Sequence, residues 1–308
     1  MIQKSKLLLA RHALCAAVLV CGIANMTGCA SLRADEAGLH RLWQSERADR
    51  LTRPDGWLAL VGKHRLKDGA YKIGSASHND IVLPRGPDEF GVVSVAGMEV
   101  NVVSAPGTLL LGERNQRQTS ISLEVGEDGV PATVVGVESL TLFMNDDQGP
   151  VLLVMDAGSP GIQHFEGLEY YRYDSDWVVE ASFRPHRPPR QLDTINAEGK
   201  TSRFDNPGTV EFLRDGTTHS LEVLTQPGEN TYFVIFADAT NRDETYGAGR
   251  FLEAEPARGG KVRLDFNRAY NPPCVFTPFN NCPLPPPGNR LRLAVTAGEK
   301  RFEPVLDY

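Results

Sequence analysis

Between residues 238 and 299 the chain gathers side chains able to bind or turn over a polar molecule. Asp238, Asp265 and Glu299 are candidate acid–base residues, since two carboxylates at a suitable separation hydrolyse glycosidic bonds. Around them stand Asn241, Thr245, Tyr246, Arg250, Asn267, Tyr270 and Asn271. An arginine forks a carboxylate, amides bond hydroxyls, and a tyrosine ring stacks on a sugar face. This set is expected to bind an anionic or polyhydroxyl ligand. A plainer reading stands beside it. Asn and Asp satisfy turn backbones, Asp238 or Asp265 pairs with Arg250 inside the fold, and Gly247 and Gly249 serve backbone geometry alone.

Several other chemistries lack their residues. There is no Gly-x-Ser-x-Gly elbow and no His-Glu-x-x-His pair, which serine hydrolases and zinc proteases of those classes require. His40, His64, His78, His164, His186 and His219 are scattered without ligand spacing. Asp238, Thr240 and Asp243 have oxygen spacing compatible with calcium, but the loop lacks the full ligand pattern, so no metal is expected. With no glycine-rich cradle leading into a helix and no strand–helix rhythm, no nucleotide cofactor is expected either.

The N-terminus sets the compartment. Lys4, Lys6 and Arg11 precede an apolar run from Ala13 to Ile23. That run is shorter than the about 20 residues needed to cross a ~30 Å hydrocarbon core, and the pattern describes a secretory signal. Met26-Thr27-Gly28-Cys29 resembles the lipobox of bacterial lipoproteins. The resemblance implies cleavage after residue 28, lipidation of Cys29 and a membrane anchor. Ser31 where the sorting rule looks for Asp favours the outer membrane over the inner, with the protein facing the periplasm. Removing the three positive residues of the signal takes the net charge from −7 to −10. Such a surface disfavours nucleic acid, whose binding runs on phosphate neutralisation. Cys274 and Cys282 are then the only cysteines besides the lipidated one. They are expected to form a disulfide in an oxidising compartment, or to stay two buried thiols in a reducing one.

The elements that must position these residues read as β-structure. Glu36–Leu51 carries Leu39, Leu42, Trp43 and Leu51 among charges and predicts one short amphipathic helix, with Arg53-Pro-Asp-Gly56 as its stop. Short apolar runs separated by turn residues follow: 57–61, 69–73, 80–83, 92–95, 98–103, 108–111, 120–125, 133–143 and 151–155. Further runs cover 208–213, 219–224, 231–236, 261–266 and 291–296. This spacing predicts an all-β protein of two sandwich- or barrel-like parts. Pro185-His-Arg-Pro-Pro189 suggests the boundary between them. The expected organisation is a signal (1–28), a lipidated N-terminus and helix (29–56), a first β domain (57–184), a linker (185–207) and a C-terminal β domain with the polar cluster (208–308).

Two passages resemble known families. Tyr71-Lys-Ile-Gly-Ser-Ala-Ser-His-Asn-Asp-Ile-Val-Leu-Pro84 is similar to the opening of a forkhead-associated domain. Ser75 stands where that family's phosphate-binding arginine follows the glycine, so the likeness implies a sandwich without phosphopeptide reading. The second passage runs from Phe236 to Arg250, then Leu264-Asp-Phe-Asn-Arg-Ala-Tyr-Asn-Pro-Pro-Cys274, Cys282-Pro-Leu-Pro-Pro286, Asn289-Arg-Leu291 and Ala297-Gly-Glu299. With Trp57–Gly62 and Phe165–Tyr171, it resembles the domain-of-unknown-function family 1684. That resemblance implies a β-rich fold and a shared polar cluster, with no activity attached. The leading expectation is a non-enzymatic envelope module that binds a glycan, an anionic small molecule or a partner protein. The alternatives are an envelope hydrolase using Asp238, Asp265 or Glu299, and a structural interaction protein with no pocket.

Overall fold

A computed structural model of the chain describes residues 21–304, apart from 113–115, 125–133, 138–139, 147–148 and 227. The first twenty residues of the expected signal lie outside the described residues, as do Val125 and Thr133 at the ends of two expected strands. The chain divides into two compact units, Met1–Leu42 and Trp43–Tyr308.

Helix α1 runs over Cys21–Thr52, longer than the expected Glu36–Leu51. No proline interrupts the chain before Pro54, and Ala24, Ala30, Leu32, Arg33 and Ala34 are good helix formers. No helix among the described residues is long and apolar enough to cross a membrane. Within the second unit, Leu51 near the helix end is fully buried beside Leu58, Val275 and Phe276.

The first half of the second unit holds eleven strands among the described residues. They are β1 (Leu60–Arg65), β2 (Gly69–Gly74), β3 (Ile81–Val82), β4 (Gly91–Ala96), β5 (Glu99–Ser104), β6 (Leu110–Leu111), β7 (Arg117–Gln118), β8 (Ser120–Leu123), β9 (Val134–Val137), β10 (Leu140–Asp146) and β11 (Pro150–Asp156). They form two sheets, ordered β1-β11-β10-β9-β6-β7 and β3-β2-β4-β5-β8. Strands β4, β5 and β8 alternate buried and exposed positions residue by residue, because successive side chains point to opposite faces. Their inward valines and isoleucines meet Leu142, Leu152 and Val154 of the other sheet in one core, each buried side chain contributing about 1.5–3 kcal/mol. A four-residue helix α2 (Pro160–Gln163) follows, its N-terminus capped by the Ser159 hydroxyl.

The remaining strands are β12 (Val178–Ile195), β13 (Thr201–Arg214), β14 (Thr217–Thr225), β15 (Tyr232–Phe236), β16 (Arg250–Ala254) and β17 (Lys261–Asp265). They make one sheet ordered β16-β15-β14-β13-β12-β17, curled into a half-barrel. Here three expectations change. Segment 185–207 is not a linker: β12 and β13 pair through it. The ladder holds Pro185 against Gly208, breaks register, and resumes with Arg190 against Asn206. The break falls on Pro188 and Pro189, which have no N–H to give a neighbour. The sheet therefore begins at Val178, ahead of the expected boundary. Strand β16 forms where the charged residues Arg250 and Glu253 hid the apolar pattern. Residues 291–296 make no strand: Leu291 and Leu293 bond the backbone of Ala237 and Ala239, the chain bends at 292–293, and both backbone groups of Val295 bond side chains, as described next.

Candidate functional site

The expected binding arginine faces inward. Arg250 opens β16 and its side chain is 0% exposed. Its Nη2 donates to Asp238 Oδ2 and to the Val295 carbonyl, both at 2.9 Å, and its Nη1 donates to the carbonyls of Ala297 and Glu299. Asp238 is equally occupied: its Oδ1 accepts from Thr240 N–H at 2.9 Å, Thr240 hydroxyl at 2.6 Å and Val295 N–H at 3.2 Å. A buried charge is tolerated when it is paired and most of its donors are satisfied; of Arg250's nitrogens only Nε lacks a partner among the described residues. Arg250 and Asp238 satisfy each other and pin segment 295–299 to the sheet. Gly249 lets the chain pass: its φ is +104°, and a Cβ there would stand 2.5 Å from the Phe236 carbonyl. Arg250 is therefore no ligand fork, and Asp238 is no free acid or base.

Glu299 is also fully buried and engaged. Its Oε2 accepts from Asn271 N–H at 2.7 Å, and its Oε1 accepts from Arg47 Nε at 2.9 Å. Arg47 also donates to the Asn271 carbonyl at 2.9 Å and lies 4.8 Å from the centre of the Tyr270 ring. Gly298 makes the approach possible, with φ +82° and no room for a Cβ against the Ala269 carbonyl 2.5 Å away. Tyr170 hydroxyl reaches Glu299 Oε1 at 3.5 Å; burial first, and then the Glu299 charge, push its pKa up. Asp265 caps the turn Phe266–Arg268 by accepting from Asn267 N–H. The three candidate carboxylates thus hold separate parts of the backbone, and none lines the groove described below or the cleft at the β13–β14 hairpin.

The amides do similar work. Asn267 exchanges bonds with the backbone of Asp174, and Asn271 Nδ2 donates to the Lys300 carbonyl. Asn241 accepts from Asp238 N–H and donates to Thr245 and to the Tyr246 carbonyl. Thr245 is fully buried against Thr240. Cys274 and Cys282 are adjacent but not bonded to each other. Each sulfur is already placed as a thiol: Cys274 N–H donates to Cys282 Sγ at 3.1 Å, and Tyr246 hydroxyl lies 3.9 Å from Cys274 Sγ. The hydrogen bond from the Cys282 thiol holds Cys274 down at about 7 against the opposing effect of burial. The Cys282 thiol, giving up that proton only with difficulty, is pushed up. Tyr246 is pushed up to about 12, chiefly by burial.

Of the expected ligand residues, Tyr270 lines an open cleft. That cleft is a groove of about 640 Å³. One wall is the end of α1 and the turn after it, giving Trp43, Arg47, Arg50 and Trp57. The floor is Phe233 and Phe251, packed edge to face at 4.8 Å. The far wall carries Glu253, Arg268 and Tyr270. Tyr270 hydroxyl donates to Glu253 Oε1 at 2.7 Å; burial and then that carboxylate push its pKa up. Arg50 and Trp57 are exposed. Arg268 Nε is buried with no hydrogen-bond partner among the described residues, its nearest carboxylate oxygen, on Asp265, being 3.7 Å away. Sequence reasoning missed Arg47, Trp43 and Trp57. Their signal was present in the aromatic and basic content of the helix and the turn after it, but nothing local showed what the helix would meet.

Two outcomes test this account. Arg250→Met leaves Asp238 buried and unpaired, so guanidinium denaturation should show a loss of about 3–5 kcal/mol; an unchanged midpoint would disprove the structural role. Because the thiolate is the nucleophile, iodoacetamide should alkylate Cys274 with a half-maximal rate near pH 7 and leave Cys282 unmodified there. Residue-resolved mass spectrometry that found equal labelling of both would contradict the thiol arrangement.

Residues 163–300 match the model of a family described as protein of unknown function DUF1684. No curated protein matches the chain. An uncharacterised protein of Haloarcula marismortui, solved by solution NMR, is 37% identical over 45% of this chain and 78% of that one, with a TM-score of 0.39. The matched segment holds Asp238, Arg250, Asp265 and Glu299, and the chain belongs to the DUF1684 family.

Proposed function

We propose that this protein is a non-enzymatic binding module of the cell envelope, and that it takes an acidic glycan in the groove between α1 and the half-barrel sheet. The observation that carries the reading is the company of side chains there. Trp43, Trp57 and Tyr270 share one open groove with Arg50 and Arg268, over an apolar floor. Aromatic faces suit the apolar faces of sugar rings, and guanidinium forks suit carboxylates on such rings. The Arg47–Glu299 pair keeps the wall in place, which lowers the ordering cost of binding. An acidic glycan fits better than a neutral one because Arg50 has no carboxylate partner of its own in the groove.

The test is tryptophan fluorescence of the full chain during titration with oligosaccharides containing uronate or N-acetylmuramate. Two of the three tryptophans line the groove, whereas Trp177 is 4% exposed elsewhere. Saturable quenching is expected, and Arg268→Gln or Trp57→Ala should weaken binding at least tenfold, about 1.4 kcal/mol. Absence of quenching, or equal affinity in both variants, would sink the reading. The envelope placement rests on the lipobox-like Met26–Cys29. Two or three acyl chains, at about 0.8 kcal/mol per buried methylene, make a stable anchor. Metabolic labelling with palmitate in a bacterial host should tag the protein and lose the tag in Cys29→Ala; equal labelling of the variant would remove the anchor from the account.

A further inference from the structure

A second cleft, of about 480 Å³, lies on the half-barrel at the β13–β14 hairpin and the segment after the turn Pro287–Asn289. We propose that it is a site for the phosphate group of a small phosphorylated molecule, separate from the glycan groove.

Sequence and backbone together explain why it is basic. Along 290–293 exposure alternates: Leu291 is buried in the half-barrel core with Leu293 packed against it, while Arg290 and Arg292 are exposed. With the two leucines turned into the core, both arginines are left exposed, and both line the cleft. Neither has an ion-pair partner among the described residues, unlike Arg47, Arg85, Arg203 or Arg250. The third cation, Arg214, is held in place. Its Cζ lies 4.2 Å from the centre of the Trp177 ring, and its Nη1 donates to the Asp176 carbonyl at 2.6 Å. The hairpin turn that follows is tight: Asp215 and Gly216 have φ of 49° and 73°, the geometry of a two-residue type I′ turn. It places the hydroxyls of Thr217, Thr218 and Ser220 beside the arginines.

Three arginines against the single carboxylate of Asp215 give the cleft a formal charge of +2, on a chain whose net charge is −7. That contrast selects ligand size. A long polyanion would meet the repulsive remainder of the surface, whereas one phosphate group sits within a Debye length, about 10 Å at 0.1 M salt, of the arginines alone. Planar guanidinium forks match phosphate oxygens two at a time, and neighbouring hydroxyls supply further donors. The phosphate can come from a soluble phosphomonoester or from a phospholipid headgroup.

Calorimetry of the full chain with glucose 6-phosphate and with inorganic pyrophosphate tests the soluble source, and flotation with vesicles containing phosphatidic acid tests the lipid one. Binding in either arm is expected to fall at least tenfold in Arg290→Gln/Arg292→Gln. A charge-matched control, Arg53→Gln/Arg258→Gln, alters two exposed arginines elsewhere and should bind like the parent. Both arginines of the cleft are exposed, so circular dichroism should show the double variant folded; if it is not, Arg292→Lys, which keeps the charge but loses the fork, replaces it with the same expectation of weaker binding. No binding in either arm, or an equal loss in the control, overturns the proposal.

Discussion

The Arg250–Asp238 ion pair is the constraint on which the C-terminal part of the molecule depends. A guanidinium group is costly inside an apolar core unless its charge is paired and most of its donors find acceptors; of Arg250's three nitrogens only Nε is left without one among the described residues. Here the acceptors are one carboxylate and a run of backbone carbonyls from Val295 to Glu299. Satisfying the arginine therefore helps fix the path of a segment that lies outside the named strands and is otherwise tied by isolated backbone bonds to Ala269 and Tyr171. That path carries Glu299 to the place where it meets Arg47 of α1. The last turns of the helix are thereby joined to the half-barrel by a chain of charges.

The groove is a product of that chain. Arg47 points its polar atoms at Glu299 and the Asn271 carbonyl, and it lays its guanidinium near the Tyr270 ring. Trp43, one helical turn earlier on the same face, is thus brought opposite the sheet, with Phe251 and Phe233 between them. The polar residues that look most like a binding site in the sequence are spent on making this geometry. The residues left lining the groove are mostly aromatic and basic.

The strand pattern was legible because burial on one face imposes a period of two, and β4, β5 and β8 keep it without interruption. It was less legible in the second half. Long strand β12 carries prolines in its middle, and the ladder tolerates them by breaking register between Pro185 and Arg190. A local reading of those prolines sees a linker, since only the partner strand reveals that pairing resumes. Cys274 and Cys282 show the same limit. Their closeness was readable from spacing, whereas the contacts of their sulfurs with the Cys274 amide and with Tyr246, a residue far away in the chain, were not.

What the amino-acid sequence by itself determined is the β-rich class, the family and the composition of the polar cluster between 238 and 299. These follow from periodicity and from residue types, which are local properties. Only the tertiary structure decided which way the cluster faces. Asp, Asn and Arg serve equally well to bind a ligand or to satisfy a buried backbone, and the difference lies in whether water or a carbonyl stands opposite. For Arg250 it is a carbonyl, because segment 295–299 folds back across it; for Arg268, Arg290 and Arg292 solvent still reaches the side chain. That distinction arises from contacts between residues as far apart as 47 and 299, and no window of sequence contains it.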